Sequence, residues 1–454
     1  MLNFLPLRIA VREIFDEALR AVDPGAAVRR ALRFEGFRLN VCETRFDLAR
    51  NSRVFSIAIG KAALPMAIAL EEVLGELLAA GLIAGPIAGQ PRGGSAAMSP
   101  EKLSTRWHWC EGGHPLPTRA SLTAASEAFR LIERANEERG LVIFLVSGGG
   151  SAMMEWPISD DITLADLRMA NKALVECGAS IGEINSVRRA FSAVKGGRLA
   201  ARAPNCEQIT LIVSDVPRGE EQNVASGPTL STPPNAPHAF EVVEHYDLRE
   251  KLPSSIMRAI ERSTTTIELP HKEQQYFVLL DNNTALEAAA YAARRRGLFA
   301  EIAQDISDES IETGCEKLLT RASELRDPSG QANDICLLSG GEFTCPVRGD
   351  GIGGRNLETA LRLAIASAEN PERIGEFVAL CAGTDGIDGN SPAAGALVDS
   401  TTIDRARRIG LDGTDFLNRS DAYSFFVALG DVITTGPTGT NVRDIRILTR
   451  NAGE

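Results

Sequence analysis

Short apolar segments alternate with amphipathic ones along most of this chain. That alternation narrows the folds open to it more than any other feature. "RVFSIAIG" (53–60), "GLIAGPIAG" (81–89), "GLVIFLVSGGG" (140–150) and "QITLIVSDV" (208–216) read as strands apolar on both faces. Between them lie helical stretches: 10–33, "KAALPMAIALEEVLGELLAAG" (61–81), "PTRASLTAASEAFRLIERANEERG" (117–140) and about 163 to 179. Strands that alternate with helices imply a largely parallel sheet covered on both faces. The expectation is α/β, with an N-terminal Rossmann-like, mostly parallel sheet.

At 454 residues the chain is too long for one core, so two domains are expected. The character changes over 231–275, where "STPPNAPHAF" and "TTTIELPHKEQQ" are turn-prone. The rhythm restarts at "QYFVLL" (275–280) and runs through "DNNTALEAAAYAARRRG", "LFAEIAQD", "DICLLSGGEFT" and "EFVALCAGTDG" to "DVITTGPTGTNVRDIRILT". The expected division is 1–245, a junction at 246–275, and a smaller α/β domain over 276–454.

The formal net charge of −12 argues against nucleic acid or an anionic membrane as partner. The scattered cysteines form no C-x-x-C pair, and reduced thiols are expected. Arg8, Arg12 and Glu13 break the apolar start, which reads as an amphipathic helix of a cytoplasmic protein and not as a signal peptide.

Five polar, Gly-rich loops follow strands. The first is Ser147-Gly148-Gly149-Gly150-Ser151, a turn able to face an anion with backbone N–H groups. It matches neither G-x-G-x-x-G nor the P-loop pattern. The others are "SDVPRGEEQNVASGPT" with Asp215, "SGGEFTCPVRGDGIGGRNLE" with Glu342, Arg355 and Asn356, "CAGTDGIDGNSPAAGA" with Asp385 and Asp388, and "TTGPTGTNVRD". Together they point to a site for phosphate and metal. Lys61 and Arg355 each sit where a helix begins, a place that disfavours cations unless an anion offsets them. In "NSVRRAFSAVKGGRLAA" most charges read as a solvated helix face, with Lys195 placed to reach a phosphate. Ser192 to Lys195 spells S-x-x-K by chance, since no K-T-G follows. His114 is an acid–base candidate, although a histidine in such a loop is more often a hydrogen-bonding group.

In this order, "VSGGGSA", "NSVRRAFSAVKGGRLA", "SDV…ASGPT", "SGGE…GIGGRNLE", "GTDGIDGNSPAAGA" and "TGPTGTNVRD" resemble the glycerate 2-kinase (MOFRL) family, whose older name is hydroxypyruvate reductase. The resemblance implies a site in a cleft between the two domains, ATP, a divalent cation, and transfer to the 2-hydroxyl of D-glycerate. It puts the family's essential lysine on Lys61 and its essential arginine on Arg355. This chain departs from the family at Arg189-Ala190-Phe191, at Gly219-Glu220, at Leu357 and at Arg443.

The expected assignment follows. Ser147, Gly148, Gly149, Gly150, Ser151 and Lys195 bind nucleotide phosphates. Asp215, Glu342 and Asp385 are the Mg²⁺ candidates. Lys61 and Arg355 hold the acceptor carboxylate or the charge on the moving phosphoryl group. Asp388 is the candidate base. Expected partners are a small hydroxy acid and a second copy of the chain. The rivals are a nicotinamide-dependent reductase of hydroxypyruvate and a silent nucleotide- or sugar-acid-binding protein.

Overall fold

The computed structural model describes residues 4–48, 52–86, 103–263, 275–328 and 334–451. The described residues fall into two compact units. The larger takes 24–280, and the smaller takes 4–23 together with 281–451. Part of "GLIAGPIAG" and nearly all of "TTTIELPHKEQQ" lie outside the described residues.

In the larger unit, β1 (Leu32–Glu35), β2 (Arg38–Val41) and β3 (Thr44–Asp47) form a small antiparallel sheet. Its main sheet has six strands: β4 (Val54–Ile59), β5 (Leu78–Ala84), β6 (Trp107–Cys110), β7 (Leu141–Ser147), β8 (Glu207–Val213) and β9 (Gln275–Leu280). All neighbours pair in parallel, in the order β6-β5-β4-β7-β8-β9. Counted along the chain from β4, that is the 3-2-1-4-5-6 order of dinucleotide-binding sheets. The order reverses between β4 and β7, where ligands of such sheets bind. Both strands are buried along their whole length, as a sheet covered on two faces requires.

Helix boundaries differ from the periodicity in places with physical causes. The 10–33 pattern is two helices, Leu5–Ala21 and Pro24–Ala31, because the residue before a proline is pushed out of the helical region. The helix after β4 spans Ala63–Leu74 and stops at Gly75 (φ 53°), so Leu78 already belongs to β5. The run from 163 holds two helices, Leu164–Glu176 and Ile181–Phe191. Ser180 opens the second with a capping box to Glu183. The segment expected as a junction carries the helix Ser254–Arg262, which packs in the larger unit with Leu167, Val187 and Val243.

In the smaller unit the strands are β10 (Phe299–Ile302), β11 (Ile335–Ser339), β12 (Phe377–Gly383), β13 (Gly395–Asp399), β14 (Val432–Ile433) and β15 (Asp444–Arg450). Their order is β10-β11-β15-β12-β13-β14. Only β10 and β11 pair in parallel; the other neighbours are antiparallel. The last strand thus runs up the middle of the sheet against its neighbours. The helix Arg355–Glu369 buries Leu357, Ala360, Leu361 and Ala364 in the core with Leu337, Ala379 and Leu448.

Two assignments depart from the expected division. Strand β9, which restarts the rhythm, completes the sheet of the larger unit by pairing with β8. The first helix belongs to the smaller unit. Arg8 pairs there with Asp399 and Asp431, and Arg296 reaches Glu13 and Glu17 at 3.0 and 2.8 Å. Asp399 and Asp431 are buried, and Arg8→Ala leaves Arg405 as their remaining cation among the described residues, 2.5 Å from Asp431 and 3.9 Å from Asp399. The expected cost of the lost charged hydrogen bonds is on the order of 2 kcal/mol, read as a fall in melting temperature of several degrees. A melting curve like that of the parent would contradict it.

All eight cysteines are free. No described helix is long and apolar enough to cross a membrane.

Candidate active site

The larger unit builds its constellation at the carboxyl ends of parallel strands. After β4 comes Gly60-Lys61, after β6 His114, after β7 the triple glycine, and after β8 Asp215. At the reversal point the two central loops interlock. The Lys61 N–H donates to the Gly148 carbonyl (2.9 Å). Ser147 Oγ accepts from the Ala62 N–H (3.0 Å) and donates to the Ile59 carbonyl (3.1 Å). Gly60 sits at φ 109°, and a Cβ there would fall 2.3 Å from the Ser147 carbonyl. Only glycine tolerates both conditions.

The turn is also crowded by chemistry. A Cβ on Gly148 would lie 1.9 Å from Asp215 Oδ2. One on Gly149, at φ 79°, would lie 3.2 Å from both His114 Cδ2 and Lys61 Cγ. Lys61, His114 and Asp215 therefore converge on Gly148-Gly149, from three strand ends far apart in sequence. Ser151 Oγ shares a hydrogen bond with Ser226 Oγ (2.8 Å), tying the turn to the "ASGPT" loop.

Four sequence expectations change here. Ser147 spends its hydroxyl joining the two strand-end loops, so its side chain is structural. The helix after the glycines is a single short turn, Gly150–Met153, so an anion would be met by backbone N–H groups with little help from a macrodipole. Lys195 is 1% exposed and its ammonium pairs with buried Glu155, which also accepts from Ser192 Oγ at 2.5 Å. Lys195 is therefore an internal counter-ion, with burial lowering its pKa against the pull of Glu155. The neighbouring "solvated face" is buried as well. Arg188 donates to Asn171 Oδ1 (2.9 Å), and Arg189 donates to the Gln222 carbonyl (2.8 Å) and Asn223 Oδ1 (2.9 Å).

The smaller unit gathers charge by a different route. Because β15 is antiparallel, its first residue, Asp444, lies opposite Gly383 at the end of β12, and Arg446 lies opposite Ser339 at the end of β11. Arg355 forks onto Asp444, Nε to Oδ2 at 2.6 Å and Nη2 to Oδ1 at 3.2 Å, and reaches Glu342 Oε1 at 2.7 Å. Burial would neutralise Asp444, but the charge and hydrogen bonds of Arg355 outweigh it and hold its pKa below the usual range. Burial likewise opposes the charge on Arg355, yet Asp444 and Glu342 raise its pKa above the ordinary value. The Arg355 side chain as a whole is 35% exposed.

The anion that offsets Arg355 at its helix start is thus protein, supplied by Asp444 and Glu342. Asp388 accepts from the N–H of Asn356 (3.1 Å), the N–H of Leu357 (2.8 Å) and Asn356 Nδ2 (3.2 Å). It caps that helix from a distant loop and is not offered as a base. Asn356 Oδ1 and Thr440 Oγ1 are buried without a hydrogen-bond partner among the described residues. Asp385 accepts from the Ile387 N–H (3.1 Å). Among the described residues no three His, Cys, Asp or Glu side chains form a metal cluster.

The sequence reading missed Asp444 as a partner for Arg355, because it begins a strand while the other carboxylates follow strands. It missed Asn282 too. That residue donates to the carbonyls of Val442 (2.7 Å) and Asp444 (2.9 Å) and accepts from the Gly341 N–H (3.1 Å), pinning two loops. Arg443, one of the departures from the family pattern, pairs with Asp308.

Burial raises Asp388 to about 7, the charge of Asp444 adding to it, despite the N–H groups of Leu357 and Asn356. The folded state then holds a proton that the unfolded chain releases near pH 4. Stability should fall as pH rises from about 4 to about 7, by up to about 1.4 kcal/mol per pH unit, and level off above. Asp388→Asn should flatten that slope, although its amide cannot satisfy both backbone donors and the variant starts less stable. Equal slopes in denaturant titrations of the two proteins would contradict this.

Fold and loops define a class: a two-unit α/β protein with a Gly-rich turn at parallel strand ends in one unit and an Arg–carboxylate cluster in the other. The model of a domain of unknown function (DUF4147) matches residues 10–261, and that of the MOFRL family matches 335–444. A glycerate 2-kinase of Pyrococcus horikoshii is 34% identical, over 95% of this chain and 94% of its own. A rat glycerate kinase is 33% identical, over 99% of this chain and 94% of its own. The crystal structure of a glycerate kinase from Thermotoga maritima is 30% identical with a TM-score of 0.77, covering 98% of this chain and 99% of that one. The chain belongs to the glycerate 2-kinase family.

Proposed function

We propose that this protein is an ATP-dependent kinase that phosphorylates the 2-hydroxyl of D-glycerate, giving 2-phosphoglycerate and ADP. The observation that carries the reading is the convergence of Lys61, His114 and Asp215 on Gly148-Gly149 at the reversal point of a dinucleotide-type sheet. Phosphoryl transfer needs alignment and neutralised charge more than covalent help, and this constellation supplies both. The backbone of Gly148, Gly149, Gly150 and Ser151 cradles nucleotide phosphates. Lys61 compensates their charge beside Gly149. Asp215 fits a hard divalent cation, since Mg²⁺ takes one or two carboxylates and completes its shell with phosphate and water. When bound, that ion neutralises the charge shared between the phosphates. His114, also beside Gly149, donates to the anion.

Within the smaller unit, Arg355 is held in orientation by Asp444 and Glu342 and suits the two-oxygen fork of a carboxylate or a phosphoryl group. Asp385 is a further acidic candidate of that unit.

The reductase reading fares worse. The strand order suits a dinucleotide, yet the turn after β4 reads Gly60-Lys61-Ala62-Ala63-Leu64-Pro65, without the second and third glycines that admit a pyrophosphate. The test is an assay of the full chain with Mg²⁺. ADP release that requires both ATP and D-glycerate is expected. NADH oxidation by hydroxypyruvate without ATP would replace the kinase with the reductase. Calorimetric binding of ATP and glycerate without turnover would replace it with a silent binding protein.

A further inference from the structure

The larger unit holds a cavity of about 240 Å³ whose walls include none of the residues assigned above to the reaction. Ser186, Arg189, Arg198, Thr232 and His238 supply its polar lining, with Phe240 on an apolar side. Two features point to a missing anion. The Ser186 hydroxyl is buried, at 7% exposure, and takes no hydrogen-bond partner among the described residues. A buried hydroxyl without a partner is costly and calls for an occupant.

The second feature is charge. Arg189 and Arg198 form no ion pair with a carboxylate among the described residues. Arg189 is satisfied by Asn223 and by the Gln222 and Ser226 carbonyls, and Arg198 by the carbonyls of Arg189, Ser192 (3.0 Å) and Lys195 (3.4 Å). Glu155, the nearby carboxylate, is taken by Lys195. Glu261 also lines the cavity but lies 3.6 Å from Arg249. Burial together with the charge of Arg198 pulls Arg189 down to about 10, as expected of a guanidinium lacking a counter-ion. Buried Arg189 and half-buried Arg198, held only by carbonyl dipoles, are strong donors for a phosphate.

We infer that this cavity is a second anion site, binding a small phosphate monoester through Arg198, Arg189 and the Ser186 hydroxyl, with its carbon body against Phe240. It is separate from the phosphate-binding turn, to which it connects through Arg189, the Ser226 carbonyl and the Ser226–Ser151 hydrogen bond. Occupancy here would firm the loop that holds Ser151.

Calorimetry of the full chain with glycerol 3-phosphate and with inorganic phosphate tests this. Lys61→Ala, which cripples the turn, should still bind one equivalent of the ester. Ser186→Ala removes a hydroxyl that holds nothing in the fold. It should weaken that binding about tenfold with a melting temperature no lower than that of the parent. Arg198→Gln should weaken it further. Should Arg198→Gln fail to fold, Ser186→Ala decides alone. Loss of all binding in Lys61→Ala, or parental affinity in Ser186→Ala, overturns the proposal. Tighter binding of inorganic phosphate than of the ester would remove the role given to Phe240 and overturn the ligand class.

Discussion

Lys61→Ala should lower kcat by on the order of 10³-fold while leaving the melting temperature nearly unchanged. The local fold around this residue is held by other groups. The Lys61 N–H, retained by alanine, ties its loop to Gly148, and Ser147 joins the same loops through Ala62 and Ile59. What the substitution removes is the side chain packed beside Gly149, where the phosphates of the nucleotide would lie. Steady-state turnover with saturating ATP and glycerate, paired with thermal melting, separates the two effects. Activity lost only in step with folding would make Lys61 structural.

Arg355→Ala should behave differently, losing turnover and stability together. Asp444 is 1% exposed, and its bidentate partner is Arg355. Removing one half of a buried pair leaves an uncompensated charge, at a cost of about 3–5 kcal/mol. Asp388 and Glu342 would also gain repulsion from Asp444. Arg355→Lys should recover much of the stability, because a positive charge returns, but little of the activity, because an ammonium cannot reproduce the fork. Denaturant unfolding and kcat measured on both variants check this. Full activity in Arg355→Lys would show that charge suffices and that the fork is dispensable. An Arg355→Ala protein as stable as the parent would show that Asp444 finds another partner.

The sites were legible to unequal degrees. In the larger unit every contributing loop follows a parallel strand, so the rule that ligands gather at carboxyl ends located Lys61, the glycines and Asp215, while the strand before His114 went unread. In the smaller unit that rule fails for β15, which runs the other way and brings Asp444 to the edge by its amino end. Nothing in a local pattern marks strand direction. Lys195 and Arg189 show a second limit. Their spacing fits a surface helix, but the "ASGPT" loop and Glu155 bury them, and burial by distant segments leaves no trace in spacing. Asp388 shows a third: its loop reads as a cation site, and its actual partners are backbone N–H groups more than thirty positions away.

Taken alone, the amino-acid order settled the periodicities, hence the alternation of strand and helix in two α/β units though not the small β1–β3 sheet, and the glycines whose missing side chains leave room at φ 109° and φ 79°. These follow from local sterics and from the alternation of apolar residues, which act over a few residues at a time. Which sheet β9 joins, which unit owns the first helix, which carboxylate serves Arg355 and which lysine is sealed inside were decided by tertiary contacts. Those choices turn on long-range pairing and on the loss of water around charges, and neither exists until the chain has folded.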